Sequence, residues 1–115
     1  MDDRTRAWLY DILSSIQDTN SYLDEGNKDY AHFPLNLQIK KAFERNLEII
    51  GQALQKLLEY LPDSRLSNAE KIIDISQRIA DLDDALSDEI IKNTVLEYLP
   101  KLRDEIHLLI IQSNY

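Results

Sequence analysis

The sequence predicts an all-α protein, an up-down antiparallel four-helix bundle forming a single domain over residues 1–115. Three observations carry this expectation. Apolar residues recur every three to four positions through most of the chain, the period of helices that bury one face. The 115 residues include only 2 Gly and 3 Pro, too few for the frequent turns of a β domain. Gly26, Pro34 and Pro62 fall between the periodic segments, where breakers belong.

The first helix is expected from about Arg4 to Leu23, with Leu9, Ile12, Leu13, Ile16 and Leu23 at helical spacing and Gly26-Asn27 ending it. Pro34 suits the first turn of a second helix. Its stripe of Phe43, Leu47, Ile50, Leu54, Leu57, Leu58 and Leu61 runs to Pro62, which predicts the longest element. Gly51 interrupts that helix at about 1 kcal/mol relative to alanine, a cost that a close helix crossing would justify. Leu61-Pro62-Asp63-Ser64 is turn chemistry. Ser67-Asn68-Ala69-Glu70 has the pattern of a capping box opening a third helix that carries Ile72, Ile73, Ile75, Ile79 and Leu82. Ser87 is placed to cap a fourth, with Asp88 and Glu89 in its favourable first turn. There Ile91, Val95, Leu99, Leu102, Ile106, Leu109 and Ile110 stay in phase through Pro100, which predicts a kink rather than a break. Short connections favour antiparallel neighbours.

Bulk properties narrow the function. No apolar run approaches the roughly 20 residues that span a bilayer, and Met1-Asp2-Asp3-Arg4 lacks the basic flank of a signal peptide. A soluble cytoplasmic protein is expected, with no membrane contact. The chain has no cysteine, so disulfides, thiol catalysis and thiolate metal sites are excluded together. A net charge of −8 works against free-standing nucleic-acid binding, because a polyanion is repelled by an acidic surface. The nearest basic patch is Lys40, Lys41 and Arg45, interleaved with Glu44 and Glu48. It reads as a solvated face with i to i+4 pairs.

Little in the sequence supports a catalytic or metal centre. His32 and His107 have no spaced partners and read as surface or rim residues. Asp81, Asp83, Asp84, Asp88 and Glu89 suggest a calcium loop, yet Leu86 stands where such a loop needs glycine and Lys92 where it needs a bidentate glutamate. Phosphate loops, nucleophile elbows and dinucleotide fingerprints do not occur. No cofactor and no metal are expected.

Arg45-Asn46-Leu47-Glu48-Ile49-Ile50-Gly51 resembles the signature helix of the HepT-like branch of the HEPN domains. Arg6-Ala7-Trp8-Leu9-Tyr10-Asp11-Ile12-Leu13 looks like that family's first helix, and Tyr98-Leu99-Pro100-Lys101-Leu102 like its Leu-Pro-x-Leu segment. The resemblance implies a small bacterial four-helix protein of the toxin-antitoxin type. Many such proteins are homodimeric ribonucleases encoded beside a minimal nucleotidyltransferase antitoxin. Active members carry Arg-Asn, three variable residues, His, and often Tyr two positions further on. Counting back without gaps from Leu99-Pro100, those four positions hold Ser76, Gln77, Asp81 and Asp83. None is kept. Cleavage through the 2′-hydroxyl needs a base that titrates near neutrality and a cation for the phosphorane, and loss of a general base alone typically costs on the order of 10² to 10⁴ in rate. A one-step slip brings Arg78 near the site but supplies no histidine.

The sequence therefore favours a catalytically degenerate scaffold that dimerises and binds a nucleotidyltransferase-type partner. Arg45 and Arg78 are its candidate RNA or partner contacts, and Trp8, Ile39, Ile49, Leu108 and Ile111 its candidate interface residues. Two alternatives stand beside it. One is an active ribonuclease whose site is rebuilt from Arg78, Asp81 and Asp83; the other is a substrate-binding subunit that completes a nucleotidyltransferase.

Overall fold

The computed structural model describes residues 2–24, 36–83 and 85–113. Among them every regular element is helical. Helix α1, Asp3–Asp24, starts where the Asp2 carboxylate accepts the Thr5 amide at 2.7 Å. That backbone hydrogen bond holds the Asp2 carboxyl below the ordinary aspartate range. Helix α2, Leu37–Tyr60, is capped by Asn36, whose side chain accepts the Ile39 amide at 2.9 Å. It ends at Leu61, one residue before Pro62. The expected features at Gly26-Asn27, His32 and Pro34 lie outside the described residues.

Helix α3, Ala69–Ala80, opens without the expected capping box. Asn68 occupies the cap in the left-handed conformation, φ 63°, with no side-chain hydrogen bond. The amide that a box would offer Glu70, that of Ser67, instead donates to both carboxylate oxygens of Glu105 at 3.1 and 3.0 Å. The Glu105 carboxylate, reaching in from the C-terminal helix, holds this amide with both oxygens in a charge-assisted contact. Leu82 also departs from expectation. The helix stops at Ala80, and Leu82 sits beyond it at φ 55° and 84% exposed, outside the core.

Ser87 caps helix α4, Asp88–Asn93, by accepting the Ile90 amide at 3.2 Å. The kink expected at Pro100 takes the form of a π-helical turn, Thr94–Tyr98, in which the Leu99 amide reaches back to the Thr94 carbonyl. Proline has no N–H to continue the regular ladder, and the wider turn just before it absorbs the mismatch. Helix α5, Leu99–Ser113, follows directly. Together these pieces form a rod over residues 88–113, longer than α2.

A helix of α2's length is about 36 Å long, close to the 43 Å long axis of the molecule, so each successive helix folds back on the last. α1 packs on α2, α2 on α3, and α5 returns against α1. The core between them is aliphatic with one ring, including Leu9, Ile12, Phe43, Leu47, Leu54, Ile72, Ile91 and Leu102, all buried. Two buried hydroxyls are satisfied by their own helices: Thr19 donates to the Ser15 carbonyl and Thr94 to that of Ile90, each at 2.8 Å. Trp8 stacks at 5.1 Å on Tyr60, whose hydroxyl accepts from Arg4, tying the start of α1 to the end of α2. Among the described residues no helix is long and apolar enough to cross a membrane.

Candidate functional site

The residues singled out by the motif count lie at the C-terminal end of α3 and in the link to α4. They do not form one cluster. Ser76 is buried in the seam between α3 and α2, its hydroxyl donating to the Ile73 carbonyl at 2.7 Å. Opposite it stands Gly51, where a Cβ would overlap both Oγ and Cβ of Ser76. The glycine is therefore required by a close crossing, as its cost suggested. Gln77 is exposed on the outer face of α3. Asp81 is exposed at the C-cap, its amide bonded to the Gln77 carbonyl.

Asp83 and Arg78 are the two candidates that the fold brings together. Arg78 Nε and Asp83 Oδ2 are 2.9 Å apart, and Asp83 Oδ1 accepts the Ala85 amide at 2.9 Å. The amide first and the guanidinium second hold the Asp83 carboxyl below the ordinary aspartate range. Such a carboxylate is a weak base near neutrality, and its partner arginine is already engaged.

These two line a cleft of about 300 Å³ with Lys40, Lys41, Glu44, Leu82 and neighbouring leucines. Lys40 reaches across to Asp88 at 2.9 Å, and that hydrogen bond raises its pKa above the ordinary lysine value. Arg45 points elsewhere. It lies 3.7 Å from Asp18 of α1 and is largely exposed, while buried Asn46 donates to the same Asp18 oxygen at 2.9 Å. On α2, Lys40 and Arg45 pair between helices, with Asp88 and Asp18, while Glu44 also bears on Lys40 along the helix, as the interleaved glutamates suggested.

No imidazole stands beside Asp81 or Asp83 among the described residues. His107 lines a separate groove between α1 and α5 with Tyr10 and Arg103. Among the described residues no group of three or more His, Asp or Glu is placed to hold a metal ion. Of the candidate interface residues, Trp8 and Ile39 pack against the core, whereas Ile49, Leu108 and Ile111 are exposed. Asp18 and Glu105 had no part in the sequence reading, and Asn46 and Asp88 entered it without their partners across the fold. Only Asn46 left a local signal, an amide inside an apolar stripe.

No protein-family model matches the chain, and no solved structure matches it. Over 52 residues it is 42% identical to a curated protein of Methanocaldococcus jannaschii named "Putative RNase MJ0125". That stretch is 45% of this chain and spans 43% of the relative's length.

Proposed function

We propose that this protein is a catalytically degenerate HepT-like scaffold that works by dimerising and by binding a partner of the nucleotidyltransferase type, as in toxin-antitoxin pairs. The similarity to a protein named as a ribonuclease supports descent from a ribonuclease scaffold. One observation carries the loss of chemistry. Among the described residues the guanidinium at the counted motif, Arg78, is bound by Asp83, whose carboxyl is held below the ordinary aspartate range, and no imidazole stands beside them. A phosphate arriving at this cleft would meet the carboxylates of Glu44 and Asp83, with Lys40 and Arg78 already paired and Lys41 the cation left on its lining. Ser76 is buried against Gly51, so the position counted as the family's arginine faces the α2 seam instead of solvent. Exposed Leu108 and Ile111 on α5 offer apolar surface for association.

The name of the relative favours a second reading, an active ribonuclease using Arg78, Asp81 and Asp83. One experiment separates the two. Purified protein and its Asp81→Ala variant are incubated with single-stranded and structured RNAs, with and without divalent metal, and the mass in solution is measured by light scattering. The degenerate scaffold predicts no cleavage above the variant's background and a dimer at micromolar concentration. Cleavage that vanishes in Asp81→Ala would overturn it, and a monomer would remove the dimer from the proposal.

A further inference from the structure

In a closed four-helix bundle α3 would also pack against the C-terminal rod. Here its packing is carried almost entirely by α2. The seam it leaves is an open furrow made of two adjoining cavities of about 560 and 390 Å³. Both cavities share Ile75, Ile90 and Tyr98, which form a continuous apolar floor. The π-helical turn supplies one wall through Thr94, Leu96 and Tyr98. Such turns are rare and concentrate at functional sites.

Charge decides what the furrow would accept. Glu70 and Asp74 stand on its α3 rim, Glu89 and Glu97 on the opposite one. None of the four has an ion-pair partner among the described residues. The basic groups along it are fewer: Lys71, which lies 5.6 Å from the centroid of the Tyr98 ring and keeps its charge, and Arg78, which is bound to Asp83. Lys92 also has a partner. The free charge facing an incoming molecule is therefore negative, on a chain whose net charge is −8. A nucleic acid is repelled there, and a second, equally acidic copy of this chain is disfavoured.

We infer that this furrow is a docking groove for a basic amphipathic helix of a partner protein, with apolar anchors on Ile75, Ile90 and Tyr98 and Lys or Arg side chains on the acidic rims. The inference rests on the partner-binding reading above and assigns that partner's contact to a surface. The shape agrees with the charge. Two flanking helices form the usual groove for a helical ligand. The wall over residues 89–98 is roughly 15 Å long at 1.5 Å per residue, enough for anchors at i, i+3 or i+4, and i+7.

The test uses the full chain, ¹⁵N-labelled, at 150 mM salt, with three synthetic 18-residue peptides. The first is a Leu/Lys helix with its leucines on one face, the second has the same composition scrambled, and the third carries Glu in place of Lys. The amphipathic basic peptide should bind saturably and shift amides of residues 70–78 and 89–98. Scrambling should weaken it at least about tenfold, since anchors must share a face, and the acidic peptide should not bind. Glu89→Gln and Glu97→Gln should each weaken it roughly two- to fivefold. Equal affinity for the scrambled peptide, shifts centred on the α1/α5 groove or the Leu82 cleft, or no saturable binding would overturn the inference. Those outcomes with a protein inert towards RNA sink the groove alone. RNA cleavage lost in Asp81→Ala sinks the functional reading whatever the peptides do.

Discussion

Gly51→Ala places the close crossing of α2 and α3 under direct test. Two effects of opposite sign compete. Alanine is better than glycine in a helix interior by about 1 kcal/mol, so an open site would be stabilised. At Gly51, however, the new methyl overlaps Oγ and Cβ of Ser76. Because Ser76 Cβ is fixed to the backbone, α3 has to retreat as a unit, and overpacking of this kind costs about 1–3 kcal/mol. An overlap with Cβ itself belongs at the upper end, so the net change is a loss of about 2 kcal/mol. At about 4 °C per kcal/mol for a domain near this size, the melting temperature falls by roughly 8 °C. The sharper measurement is a double-mutant cycle by urea denaturation. In a Ser76→Gly background the obstacle is gone, and Gly51→Ala should become stabilising by about 1 kcal/mol. The lost Ser76 hydrogen bond to the Ile73 carbonyl cancels within the cycle. A stabilising Gly51→Ala in the natural chain, or the same effect in both backgrounds, would refute the crossing.

Three further outcomes are expected. Asn46→Ala removes a buried amide that donates to Asp18; hydrogen bonds to charged groups contribute about 1.5–3 kcal/mol, and with Asp18 half-exposed a loss of about 1.5 kcal/mol in urea unfolding is expected, whereas an unchanged midpoint would show that the pair contributes nothing. Leu82→Gly relieves a left-handed backbone that costs a leucine about 1–2 kcal/mol and removes little burial, so after glycine's unfolded-state entropy the protein should gain about 0.5 kcal/mol, a prediction that any destabilisation contradicts. Asp83 has a lowered pKa from the Ala85 amide and Arg78; its contribution is complete above the ordinary aspartate value near 4 and is lost as pH falls through the lower folded value. Asp83→Asn should therefore lower the melting temperature at pH 7 and flatten its fall below about pH 4, leaving the part due to Asp2, and an acid limb unchanged in slope would show the pair to be inert.

What the sequence made legible was whatever depends on near neighbours. The stripe through Phe43, Leu47, Ile50 and Leu54 placed α2, Ser87 placed the start of α4, and Gly51 announced a crossing because its helical cost is local and calculable. The π turn was half legible. Pro100 implied a disturbance, but Val95 and Leu99 keep a spacing compatible with an ordinary helix, so the pattern did not reveal that the turn before the proline widens. Apart from Leu82, the misses share a different cause, since each turns on a charge arriving from another helix. Glu105 takes the Ser67 amide from a supposed capping box, Asp88 takes Lys40, and Asp18 collects both Arg45 and Asn46. No periodicity can show a partner dozens of residues away.

That same pattern of distant pairing bears on function. The net charge argued against RNA in bulk while leaving room for a local cationic cleft at the end of α3. The fold fills most of that room from within, because Asp88 and Asp83 sit against Lys40 and Arg78, leaving Lys41 beside Glu44 as the remaining cation on the cleft's lining. Across the molecule, Glu70, Asp74, Glu89 and Glu97 have no ion-pair partner among the described residues and surround an apolar furrow instead. The charge left over after internal pairing is negative and concentrated beside a partly buried apolar floor, a combination suited to a basic protein surface and hostile to nucleic acid. Under the proposed reading, a phosphate site lost and a partner's groove kept both follow from one distribution of carboxylates.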